Sequence, residues 1–152
     1  MQMKYITTLF AVLVLTAGCK KKLTPTELLA GETTKKWKRY QYQTGTNTPM
    51  LLDDCFSDDI WTFLNDGNLQ IDLSGTNCNG FPVPGNIING VWSFNSTNDT
   101  LTWQYNNTST VNAFKIVTLS KDELVVHQRV DSVGNTNTPN SNIDMYNYFL
   151  AR

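Results

Sequence analysis

The sequence predicts an all-β domain, an eight-stranded antiparallel up-and-down barrel preceded by one short helix. Three observations lead there. Apolar and polar residues alternate with period two through short runs, the signature of half-buried strands. Clusters of Gly, Asn, Asp and Ser separate the runs, and no segment between them is long and periodic enough for a crossover helix. Only one stretch carries helical punctuation. Composition agrees, since 16% of the 152 residues are charged while 11% are aromatic and Asn and Thr are plentiful. Such usage suits strands better than amphipathic helices.

The helix signal is Thr24-Pro25-Thr26-Glu27. Threonine serves as cap, proline takes the first helical position, and glutamate stands three residues after the cap, the form of a capping box. Leu28 and Leu29 follow, and Gly31 ends the turn. Strand A then covers Lys35 to Gln43 around Trp37, Tyr40 and Tyr42. Strand B covers Asp59 to Leu64, with Trp61 and Phe63 on one face. Asn65-Asp66-Gly67 makes a hairpin turn, because these residues tolerate the positive φ that tight turns demand. Strand C alternates through Leu69, Ile71 and Leu73. Strand D runs from Gly90 to Asn95, and Ser96 to Asp99 turns it into strand E, with Leu101, Trp103 and Tyr105 on one face. Strand F spans Val111 to Leu119. Ser120 to Glu123 turns it into strand G, Leu124 to Val130, and strand H spans Ile143 to Leu150.

The connections define two ends. In a meander, alternate connections lie on the same side. The B–C, D–E and F–G turns are short and form a tight end. The other end collects the A–B loop (Thr44 to Asp58), the C–D loop (Ser74 to Asn89), a shorter E–F turn and the G–H loop (Asp131 to Asn142). Closing the sheet into a barrel removes its exposed edges.

Net charge is −1, and the basic residues gather at the N-terminus, in a tether after it and at Lys35–Arg39. That leaves no basic face for nucleic acid. The extreme N-terminus reads as an export signal. Lys4 supplies a positive start, and Ile6 to Leu15 form an apolar run too short to span a bilayer as a helix. Leu-Thr-Ala-Gly-Cys, ending at Cys19, resembles the lipobox of bacterial lipoproteins. The resemblance implies a signal peptide over residues 1–18 and palmitate-type acylation of Cys19 after cleavage. It further implies a lipidated tether over residues 19–23 and a domain over 24–152. Each buried methylene contributes about 0.8 kcal/mol, so several acyl chains on Cys19 would hold the protein firmly to membrane lipid. No acidic residue stands immediately after Cys19, where lysines fill positions 20–22. The expected location is the cell envelope, at the outer membrane, facing the periplasm.

In an exported domain the remaining pair, Cys55 and Cys78, reads first as a disulfide, closing a loop that stabilises by roughly 3 kcal/mol. The meander places both cysteines at the looped end, which agrees with that pairing. A metal site lacks ligands, because His127 is the only histidine. Asp53, Asp54, Asp58 and Asp59 lack the glycine and closing glutamate of an EF-hand and read as a solvated acidic loop.

Taken together, Trp37, Asp54-Cys55, Trp61-Thr62-Phe63 with Asn65-Asp66-Gly67, Gly90-Val91-Trp92-Ser93-Phe94, Leu101-Thr102 and Ile116 to Ser120 resemble the lipocalin-like domain of small bacterial lipoproteins. The resemblance implies a calyx for a small apolar ligand. The side chains expected to line it are Trp61, Phe63, Ile71, Trp92, Phe94, Trp103, Tyr105 and Phe114, with the pocket beneath the long loops. No cofactor is implied. An enzyme is the least supported class, since no nucleophile–base pair, metal cluster or phosphate loop is present. The alternative is a structural or protein-interaction lipoprotein whose barrel is filled and takes no ligand.

Overall fold

A computed structural model describes residues 21–45, 47–73, 87–131 and 142–152. The elements are α1 (Pro25–Ala30), β1 (Thr34–Thr44), β2 (Met50–Leu51), α2 (Asp54–Ser57), β3 (Ile60–Leu64), β4 (Asn68–Asp72), β5 (Ile87–Phe94), β6 (Thr100–Tyr105), β7 (Val111–Leu119), β8 (Glu123–Asp131) and β9 (Asn142–Ala151). Every strand pairing is antiparallel. Neighbours in sequence pair from β3 to β9, β1 pairs with β3, and β1 also pairs with β9, so the sheet closes on itself. Eight strands form the ring. The ninth, β2, pairs only with Gln41 and Tyr42 of β1, beyond the reach of β3.

The expected strands are all present. The A–B connection differs from expectation, because it holds β2 and the single turn α2 where the sequence reads as a plain loop. Both are too short for periodicity to register. Strand D also begins earlier than expected, at Ile87, and Leu73 falls just past the end of β4.

The tight end is sealed. Thr24 caps α1 as the sequence implies, accepting from the Glu27 backbone amide at 3.1 Å while the Glu27 carboxylate accepts from the Thr24 amide at 2.8 Å. Leu29 and Ala30 of α1 are wholly buried. Trp37, 0% exposed, donates its indole N–H to the Leu29 carbonyl at 2.7 Å. Lys35 donates to the carbonyls of Leu28 (2.7 Å) and Lys121 (2.6 Å), and its ammonium lies 4.2 Å from the centre of the Trp37 ring. One cation thus ties the last turn of α1 to the β7–β8 turn, satisfying a carbonyl that the helix leaves open. The β3–β4 turn follows the sequence signal. Gly67 adopts φ +88°, and Asp66 accepts from the Asn68 amide at 3.0 Å. Trp92 donates its indole N–H to the Leu64 carbonyl at 2.9 Å, just before that turn.

Gly90 is required by a close approach. A Cβ there would lie 2.4 Å from the Gln104 carbonyl oxygen of the neighbouring strand. Its lack of a side chain lets β5 draw close to β6 where Gly90 faces Tyr105.

Candidate functional site

The strands enter the open end in a regular way. β1, β4, β6 and β8 run toward it, while β3, β5, β7 and β9 run away from it. Successive side chains alternate between the faces of a strand, so residues two apart share the inner face. Five strands carry the same pair there, an aromatic residue with a polar residue two positions nearer the open end. The pairs are Trp37 with Arg39 on β1, Trp61 with Asp59 at the start of β3, and Trp103 with Tyr105 on β6. Phe114 with Asn112 on β7 and Phe149 with Asn147 on β9 complete the set. Cross-strand partners confirm the shared face, since Arg39 opposes Phe149 and Asn112 opposes Trp103.

The aromatic members pack across the lumen. Trp61 meets Trp103 edge-on at 5.2 Å between ring centres and Phe149 at 5.6 Å, and neither partner lies on a strand adjacent to β3. Trp103 stacks on Phe114 at 3.9 Å. These rings form a floor. The side chains expected to line a calyx are therefore divided. Phe63, Trp92 and Phe94 pack together at the tight end, at 5.8 and 5.5 Å between successive rings. Trp61, Trp103 and Phe114 make the floor. Ile71 packs in the core opposite Trp61, and Tyr105 stands on the openward side.

The openward polar residues come together around Arg39. Burial pushes the Arg39 guanidinium below its ordinary value, while the nearby Asp59 carboxylate and Tyr105 oxygen work the other way. Its Nη1 donates a long hydrogen bond, 3.4 Å, to the Asn147 side-chain oxygen. The Phe56 ring of α2 covers it at 5.8 Å. Asp59, 7% exposed, has its carboxyl pushed up to about 6 by burial, with Arg39 opposing the rise and Asp58 and Asp72 adding to it. Burial also raises the Tyr105 phenol. Among the described residues no carboxylate lies within ion-pair distance of Arg39.

Three buried donors in this region have no hydrogen-bond partner among the described residues: Arg39 Nε, Trp61 Nε1 and Trp103 Nε1. The Tyr105 oxygen stands near the Trp103 indole N–H without completing a well-formed bond. An unsatisfied buried donor costs about 1–3 kcal/mol, so three in one place call for an acceptor.

Arg39 is the residue that sequence reasoning passes over. The sequence marks it only as part of the basic run Lys35–Arg39, yet β1 sets it and Lys35 on the face that carries Trp37. The signal was present in the period-two spacing Lys35, Trp37, Arg39. Once Trp37 is assigned inward, the other two follow. A register slip between Arg39 and Gln41 then makes Tyr40 the extra residue, and Tyr40 packs edge-on against Tyr148 at 6.3 Å. His127 lies on the outer face beside Tyr146, with its Nε2 2.8 Å from Asp144 Oδ1. Of the other expected site residues, Cys19 and Cys78 lie outside the described residues, as does the side chain of Cys55. The backbone of Cys55 belongs to α2 at the open end, where β4 ends and β5 begins.

A closed eight-stranded antiparallel barrel, plugged at one end by α1 and crossed by an aromatic floor, is the class of fold the chain adopts. The lipocalin-like domain family matches residues 33–126, from the approach to β1 into β8, and the chain belongs to that family. No curated protein matches the chain.

Proposed function

We propose that this protein is a binding module that holds one small, largely apolar molecule in the open half of its barrel. In this reading it is an exported lipoprotein, anchored to membrane lipid through acylated Cys19 and facing the periplasm. The observation that carries the binding reading is the contrast between a barrel otherwise well supplied with hydrogen bonds and three buried donors without a partner among the described residues, Arg39 Nε and the indole N–H groups of the floor residues Trp61 and Trp103. Eight strands enclose a lumen that is either just filled by side chains or left with room for one small ligand. Membership of the lipocalin-like family supports the same reading. Gentle purification followed by native mass spectrometry tests it. A discrete added mass that is lost on denaturation is expected, and protein that carries no such mass and binds no apolar probe would overturn the reading.

The second reading, a structural lipoprotein with a filled barrel, draws on the ring contacts from Trp61 to Trp103 and Phe149, which cross the lumen. The anchor has its own test. Cys19→Ser should leave an unlipidated, uncleaved precursor, and a variant that still carried acyl chains would refute it. A Cys55–Cys78 disulfide would tie α2 to the β4–β5 connection at the mouth. Thiol labelling without reductant should leave both residues unmodified.

A further inference from the structure

We propose that the barrel selects a compact apolar molecule bearing a single oxyanion, a carboxylate or sulfonate, which the Arg39 guanidinium receives above the aromatic floor. The inference rests on the binding reading and names the chemistry of the ligand.

The first support is the state of Arg39 itself. A buried guanidinium is costly unless it is paired and its donors are used. Here Nε has no partner among the described residues, and Nη1 has only the long contact to Asn147. Phe56 covers the group from α2. Asp59, whose charge bears on Arg39, forms no ion pair with it among the described residues and is itself buried. The site therefore holds a cation whose compensation is incomplete. Guanidinium presents its donors in a planar fork that matches the two oxygens of an oxyanion.

The second support is independent of charge. The indole N–H groups of Trp61 and Trp103 are donors and cannot accept. Both are buried and unpartnered, and both residues belong to the floor beside Arg39's strand partner Phe149. The unpartnered atoms of Arg39, Trp61 and Trp103 are all donors. A neutral hydrocarbon would leave all of them unsatisfied and a cation would be repelled, whereas an oxyanion offers several lone pairs. The floor is built of aromatic faces and edges, which favours a flat apolar body over a long chain. Asp59 would oppose such a ligand, because its carboxylate shares the ring with the incoming charge.

A matched pair of fluorescent probes tests this on the whole protein. 8-Anilinonaphthalene-1-sulfonate and N-phenyl-1-naphthylamine share the same body and differ by the sulfonate. The wild-type protein should bind the sulfonate about ten-fold more tightly or better, the effect of one charge-assisted contact. Arg39→Gln should abolish that preference, and Arg39→Lys should restore part of it. Asp59→Asn should tighten the sulfonate alone by several-fold. Equal binding of both probes by wild type, unchanged in Asp59→Asn, would overturn the oxyanion proposal and leave the binding module standing. Binding of neither probe would overturn both. The wild-type and Asp59→Asn measurements decide the question even if Arg39→Gln fails to fold.

Discussion

The two ends of this barrel treat the same residue in opposite ways. At the tight end, Trp37 and Trp92 each donate the indole N–H to a backbone carbonyl, of Leu29 and Leu64 respectively. Toward the open end, Trp61 and Trp103 are also buried, at 7% and 5% exposed, yet neither N–H has a partner among the described residues. Lys35 and Arg39 repeat the contrast for cations. Lys35 reaches two carbonyls, while among the described residues Arg39 has one long hydrogen bond and an Nε without a partner. Burial alone therefore does not distinguish the two ends. What distinguishes them is whether the polar tip is used.

The largest expected effect lies at the tight end. Trp37→Ala removes a wholly buried ring and the bond that docks α1, and should cost about 3–5 kcal/mol in chemical denaturation. A loss under 1 kcal/mol would mean that α1 is not an integral plug. Gly90→Ala comes next, at about 1–3 kcal/mol, because its Cβ would meet a backbone oxygen that cannot swing away. An unchanged midpoint would contradict the close approach of β5 to β6.

The sharpest form of the comparison is a pair of Trp→Phe substitutions. Trp37→Phe keeps most of the packing but strands the Leu29 carbonyl, for an expected loss of about 1–3 kcal/mol. Trp61→Phe deletes a donor that already lacks a partner, so its loss should be smaller by about 1 kcal/mol or more. Equal losses would erase the distinction between the two ends.

The smallest effect depends on pH. The Asp59 carboxyl is raised from 3.8 to about 6, so the folded state holds this proton more tightly than the unfolded chain. Its contribution is favourable below about pH 4 and is lost as pH rises through 6. Asp59→Asn should therefore gain on wild type between those values and level off above, by about 1–2 kcal/mol at neutral pH. Arg39, Asp58 and Asp72 share this environment, and the difference between the two proteins isolates Asp59. A difference that stays flat with pH would show that the carboxyl titrates normally.

The barrel was legible because its signals are local. The capping box at Thr24, the Asn65-Asp66-Gly67 turn and the alternation through Leu101, Trp103 and Tyr105 each name an element without help from the rest of the chain. The barrel interior was only half legible. Apolar periodicity marks inward positions, and it correctly placed Trp61, Trp103 and Phe114 inside. It gives no weight to inward polar residues, so Arg39, Asn112 and Asn147 were passed over although each stands two residues from an aromatic on its strand. β2 and α2 escaped because two to four residues cannot show a period.

The seam where β1 meets β9 has a consequence for the order of folding. Hairpins such as β3–β4 join neighbours in sequence and can form early, whereas Arg39 and Asn147 face each other across 108 residues of chain. Their contact belongs to the last pairing that the topology allows. A partly zipped meander would already contain the Trp103–Phe114 stack, but it would lack the Arg39–Asn147 contact. Capture of an oxyanion would then report that the ring has shut, and the ligand would act as a late clasp on the newly folded chain.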